Sequence, residues 1–284
     1  MAEKDSACAS ASSCSRESCE GCPSNSSGGQ SFRVDPNTSS NIRHVIGVVS
    51  GKGGVGKSLV TASLANALAK SGARVGILDA DITGPSIPKM YGLSGPAEVV
   101  GEKDIIPKIA QNGVKVMSLN LIMEDPEQAV IWRGPIIAGV VQQFWTDVVW
   151  GELDYLLVDM PPGTGDVPLT VFQSLPVDGI FIVTSPQDLV QMIVTKALNM
   201  ARLMNIPVLG VIENYSWLSC PDCGRRIEVF GKSRIGEIAK KTGLALAGRI
   251  PIEPSYSEKA DAGQFAQVDN EYIKDAMDCL RKVK

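Results

Sequence analysis

Basic charge is scarce in this chain. Its 27 Lys and Arg are outnumbered by 31 Asp and Glu, giving a formal charge of -4, and no dense cationic run interrupts the sequence. Proteins that neutralise nucleic-acid phosphates carry a basic patch, so this balance argues against a nucleic-acid partner. The short basic end, Arg281-Lys282-Val283-Lys284, reads as solvated. Long apolar runs are missing as well. No stretch approaches the roughly 20 residues of a membrane span, and residues 1–31 lack the apolar centre of a secretory signal. The expected setting is cytoplasmic, without a membrane partner. Leu, Ile and Val are almost absent from residues 1–41, where Ser, Gly, Asn and Cys dominate. Such a segment cannot build a core and is expected to stay disordered unless a metal organises it. No internal repeat is visible.

What is present begins after that tail. The expected division is a Cys/Ser-rich segment over 1–41 and one folded domain over 42–284. Apolar strands over 44–50, 74–79, 114–119, 155–159, 179–184 and 208–213 alternate with helical spacing over 58–71, 136–150, 189–204, 231–242 and 270–283. Continuous Val/Ile-rich strands between helices predict an α/β fold, a mostly parallel sheet with helices on both faces. Ligands of such sheets bind beyond the carboxyl ends of the strands. The loops at Gly51, Asp81, Asp159, Thr184 and Asn214 all follow strands and so share one edge.

Between the first strand and first helix lies Gly51-Lys52-Gly53-Gly54-Val55-Gly56-Lys57-Ser58. A loop wrapping a phosphate turns its N–H groups inward, which takes backbone angles that a Cβ hinders. Lys57 is expected to meet the β- and γ-phosphates of ATP, and Ser58 to put its hydroxyl on Mg²⁺. Asp159 ends a strand and fits the carboxylate that helps hold Mg²⁺. Asp81, just past another strand with Asp79, is the choice for orienting an attacking water; a cap or turn role competes for both. Lys52 is a second lysine close to bound phosphate. It makes sense if it reaches a neighbouring nucleotide, neutralising charge as an arginine finger does, which implies a face-to-face dimer. The expected catalytic set is Lys52, Lys57 and Asp81.

Seven cysteines in a reducing compartment point to metal more than to disulfides. Cys220 and Cys223 supply two thiolates, whereas a cubane cluster or tetrahedral zinc needs four ligands. A two-fold dimer would supply the other pair. On chemistry alone cluster and zinc stand level, with a redox dithiol third. The tail thiols Cys8, Cys14, Cys19 and Cys22 are enough for a second complete site. Cys279, at helical spacing with Ile273, Met277 and Leu280, reads as a packed thiol. His44, the lone histidine, reads as structural.

Four separate motifs carry a resemblance. They are Lys52-Gly-Gly-Val-Gly-Lys57-Ser58, the run from Asp79 to Pro88, the run from Asp159 to Asp166, and Glu213-Asn-Tyr-Ser followed by Cys220-Pro-Asp-Cys223-Gly. In this order they resemble the Mrp family of iron–sulfur cluster carrier ATPases, relatives of MinD, ParA and the nitrogenase iron protein. The resemblance covers 42–284. It implies a homodimer that hydrolyses ATP slowly, holds a labile [4Fe–4S] cluster at Cys220 and Cys223, and passes it to apo iron–sulfur proteins. It also implies that Lys52 is the family's signature lysine, that Asp81 positions water and that Asn214 reads the adenine. The loop Thr184-Ser-Pro-Gln187 resembles one near the subunit interface. In the tail the cysteine count agrees with a eukaryotic branch of the family but the spacing does not, so no residue is carried over there.

Overall fold

The computed structural model describes residues 33–81, 84, 86–123, 134–163, 165–186 and 190–283. Gln187 and the tail cysteines Cys8, Cys14, Cys19 and Cys22 lie outside the described residues. In spatial order the sheet runs Leu246–Arg249, Val208–Glu213, Gly179–Thr184, Asn41–Ser50, Glu152–Asp159, Val75–Asp79, Lys115–Ser118 and Lys108–Ile109. All neighbours are parallel except the last pair.

The central strands are apolar throughout because both faces are covered. Val45, Leu78, Leu156, Val158, Ile180 and Ile182 point into one core. There they meet the helices Gly134–Thr146, Asp166–Ser174, Val190–Leu203 and Ile235–Thr242. Ile46, Val48, Ile77, Leu157, Phe181 and Val183 point into the other, against the helices Lys57–Lys70 and Lys274–Leu280. Adjacent residues on a strand thus serve opposite layers, as a period of two demands. Each fully buried Val, Leu or Ile contributes about 1.5–3 kcal/mol, so a polar residue on either side of these strands is disfavoured. The α/β reading with helices on both faces holds.

Several boundaries differ from the sequence expectation for identifiable reasons. The helix expected over 231–242 begins at Ile235. Upstream of it, Ser233 donates to Glu213 Oε1 at 2.8 Å and accepts from the Ile235 N–H, which commits that stretch to a loop. The helix expected over 270–283 is broken into a 3₁₀ turn, Glu271–Ile273, and the helix Lys274–Leu280. Asn270 Oδ1 caps the Tyr272 N–H there, a local bond that competes with helix. The stretch Leu246–Arg249, short and without β-branched residues, is a strand because Val208–Glu213 offers it an edge. Residues of the 33–40 stretch, tail-like in composition, are tied down: the Val34 N–H donates to Ser174 O, and the Trp145 indole N–H donates to Val34 O. Among the described residues no helix is long and apolar enough to cross a membrane.

Candidate functional site

Register brings the strand ends together. Asp79 pairs with Asp159, and Thr184 with Glu213, so the loops after five strands open on one edge. The glycine loop leaves the central strand at that edge. Gly54 and Gly56 both have φ of 76°, a conformation that only glycine adopts without strain. Gly56 is also crowded: a Cβ there would run into Asn214 Nδ2 and the Tyr215 hydroxyl. The helix Lys57–Lys70 starts directly after it, so its N–H groups and positive end face the loop's hollow. That hollow has a volume of about 230 Å³ and is bounded by the loop, Asp81 and Pro162.

Lys57 is buried, with Nζ 2.9 Å from Asp159 Oδ1 and 3.5 Å from Asp81 Oδ2. Burial opposes its charge, but Asp159 and Asp81 together outweigh that and raise its pKa. Asp159 is fully buried and accepts from Ser58 Oγ at 2.6 Å and Thr61 Oγ1 at 2.7 Å. Asp79 behaves differently. Burial, reinforced by the neighbouring Asp159 charge, pushes its carboxyl well above the usual range. It accepts from Ser118 Oγ at 3.2 Å and from the Asp81 N–H at 3.2 Å. Three carboxylates crowd one ammonium, and the upward shift of Asp79 lessens that crowding of negative charge. Lys52 is exposed. Asn214 is buried, its Nδ2 donating to Val55 O at 3.0 Å, while its Oδ1 has no hydrogen-bond partner among the described residues. An orphaned buried acceptor costs about 1–3 kcal/mol, which a ligand N–H would relieve.

The thiol pair sits on a small hairpin, Leu218–Ser219 against Arg226–Ile227. The Cys220 N–H donates to Arg225 O and the Gly224 N–H to Cys220 O, each at 2.9 Å, with Gly224 at φ 69° closing the turn. The backbone N–H groups of Cys223 and Asp222 and the Cys223 thiol donate to the Cys220 sulfur and pull its pKa down. A sulfur already held as an acceptor favours the thiolate that binds metal. Cys223 is exposed and Cys220 partly so. Among the described residues no third Cys, His, Asp or Glu joins them. Cys279 is half-buried against a core, and burial raises its pKa.

Three features are not legible from sequence. Thr61 lies one helical turn beyond Ser58, on the same face, and that spacing is the available signal. Glu213, fully buried, accepts from Ser216 Oγ at 2.7 Å and Ser233 Oγ at 2.8 Å and pairs with Arg249 Nε at 3.1 Å. Arg249 and Arg226 in turn lie 5.5 and 4.4 Å from the centroid of the Trp217 ring. Nothing in the sequence announces that cluster, since its members are up to 36 residues apart.

Comparison with known proteins agrees with this layout. The family described as NUBPL iron-transfer P-loop NTPase, of the ParA group, matches residues 41–284. The iron–sulfur cluster carrier protein of Methanocaldococcus jannaschii is 48% identical over 225 residues, covering 79% of this chain and 78% of its own length. That of Clostridium perfringens is 48% identical over 231 residues, with 79% and 81% covered. Among solved structures, a nucleotide-binding protein from Archaeoglobus fulgidus in complex with ADP is 42% identical, with a TM-score of 0.73 over 82% of this chain and 91% of its own. MinD from Pyrococcus horikoshii, complexed with Mg-ADP, superposes with a TM-score of 0.57 at 20% identity, covering 85% and 97%, a likeness of fold alone.

Proposed function

We propose the following role for this chain, which belongs to the NUBPL iron-transfer P-loop NTPase family: it binds and slowly hydrolyses ATP, and carries a labile [4Fe–4S] cluster to apo-proteins. Gly51 to Ser58 cradle the phosphates with backbone N–H groups, and Lys57 leaves Asp159 to meet the β- and γ-phosphates. Ser58 and Asp159 are oxygen donors 2.6 Å apart, a set that suits a hard cation, and they would hold Mg²⁺, which neutralises phosphate charge. Asp81 positions the attacking water. Asn214 Oδ1 accepts from the adenine amino group. Lys52 crosses to the nucleotide of a second copy.

The observation that carries the cargo reading is the Cys220/Cys223 turn. It offers two sulfurs per chain, with N–H groups already aimed at one of them, and no third ligand beside them among the described residues. Two copies related by a two-fold axis complete a four-sulfur site. The tail in this scheme is the segment ahead of Arg33, shorter than composition suggests because 33–41 is bound to the domain, and Cys8, Cys14, Cys19 and Cys22 make a second metal site there, cluster ahead of zinc. Anaerobic purification with iron, sulfide and zinc analysis, on the full chain and on residues 33–284, tests the reading. Four irons per two copies of the shorter chain, lost in Cys220→Ser and accompanied by a dimer in sedimentation, are expected. Stoichiometric zinc without iron, or a loaded monomer, would overturn it. A Lys52→Ala chain that binds ATP yet no longer hydrolyses it is expected as well.

A further inference from the structure

We propose that the cleft beside the thiol pair receives an acidic, cysteine-bearing segment of the acceptor protein, a proposal that rests on the carrier reading above. The cleft has a volume of about 720 Å³; Cys220 and Cys223 form one wall and Trp217 another. Arg225, Arg226 and Arg249 line it against a single acid, Glu228. With Arg249 neutralised by Glu213, the lining keeps Arg225 and Arg226 against Glu228, an excess of one positive charge, in a chain whose formal charge is -4. Arg249 is committed to Glu213. Arg225 and Arg226 are not: both are exposed, and neither forms an ion pair among the described residues. Arg226 lies 4.4 Å from the Trp217 ring centroid, which fixes that guanidinium over a rigid platform.

Next to these cations the chain exposes Ile227, Val229 and Phe230, each between 44% and 51% accessible. Arginine and aromatic groups around an apolar centre are the composition of interface hot spots, not of an ordinary solvated loop. Charge complementarity selects the partner. The net charge of the chain is negative, so an acidic segment finds its attraction at the exposed Arg225 and Arg226, and encounter is steered to the neighbouring thiols. The exchange at the cleft is balanced. Each incoming cysteine thiol binds iron as the thiolate and releases a proton, each departing Cys220 or Cys223 sulfur takes one up, and no electron moves.

The test uses the loaded full-length chain and two synthetic four-cysteine acceptor peptides of equal length. One carries Asp and Glu around its cysteines, the other Asn and Gln. Cluster movement is followed by visible absorption after separating peptide from protein. The acidic peptide should take the cluster about tenfold faster at low salt, and the advantage should shrink as salt rises. Arg225→Glu/Arg226→Glu should abolish the preference while iron content and nucleotide affinity stay unchanged. Equal rates for the two peptides, or a variant that keeps the preference, would overturn the proposal. So would a variant that loses its cluster before peptide is added, which would assign the arginines to the cargo. A variant that loses its dimer would assign them to the second copy and would overturn the proposal equally. If neither peptide draws the cluster from the unaltered chain, the carrier reading itself fails, an outcome distinct from loss of charge preference.

Discussion

Asp159→Asn probes the charge balance of the phosphate loop. This fully buried carboxylate holds Lys57 Nζ at 2.9 Å and accepts from Ser58 and Thr61. The amide keeps the shape and removes the charge. Orphaning a buried ion costs about 3–5 kcal/mol, but Asp81, 3.5 Å from the same ammonium, retains part of the compensation. That leaves about 1–2 kcal/mol for the ion pair. Two charge-assisted hydrogen bonds become neutral ones, each weaker by about 1 kcal/mol. The sum is about 3 kcal/mol, on the order of a hundredfold in the folding equilibrium. Urea unfolding followed by circular dichroism, without nucleotide, measures it. Lys57→Met combined with Asp159→Asn should recover at least about 1 kcal/mol of that loss, because no ammonium is then left buried beside an amide. A single variant within about 0.5 kcal/mol of the parent, or a double variant less stable than the single, would refute the reasoning.

Gly56→Ala forces a Cβ into a left-handed residue and against Asn214. Nucleotide affinity, titrated with a fluorescent ATP analogue, should drop at least about tenfold; an unchanged affinity contradicts the close packing. Asp79 titrates above its unfolded value, so its ionisation costs stability as pH rises from the unfolded pKa towards the folded one, and the deficit persists above both. Asp79→Asn should therefore be the more stable protein at neutral pH, with the gap between the urea midpoints widening from about pH 4 upward; a gap that narrows would count against a raised pKa at Asp79. Cys220, its pKa lowered by N–H donors, should alkylate faster at about pH 7 than Cys279, whose pKa burial raises. Peptide mapping by mass spectrometry reads both rates, and the reverse order would contradict the assignment.

Much of the fold is legible in the sequence because it is written in local terms. Runs such as Gly179–Thr184 are too apolar and β-branched for anything but a strand covered on both faces, and the glycine loop announces its own turn. The placement of Lys57, Ser58 and Asp159 follows from the same grammar, since loop and strand end meet wherever parallel strands align. What escapes depends on distant partners. Glu213 looks like a strand-end acid, and only the fold reveals Arg249, Ser216 and Ser233 around it. The loop before Ile235 reads as helix in the sequence because its hydroxyl's partner lies 20 residues upstream. The raised pKa of Asp79 likewise depends on desolvation, which no spacing encodes.

Asn214, beside the glycine loop, and Cys220, the first thiol, are six residues apart. The segment joining them is pinned by Glu213 behind Asn214 and by the Ile252 N–H, which donates to Trp217 O at 2.7 Å. So short a tether, anchored at both places, has little slack in which to absorb a shift. A displacement of the Asn214 amide is therefore expected to be felt at Cys220, six residues along the same segment.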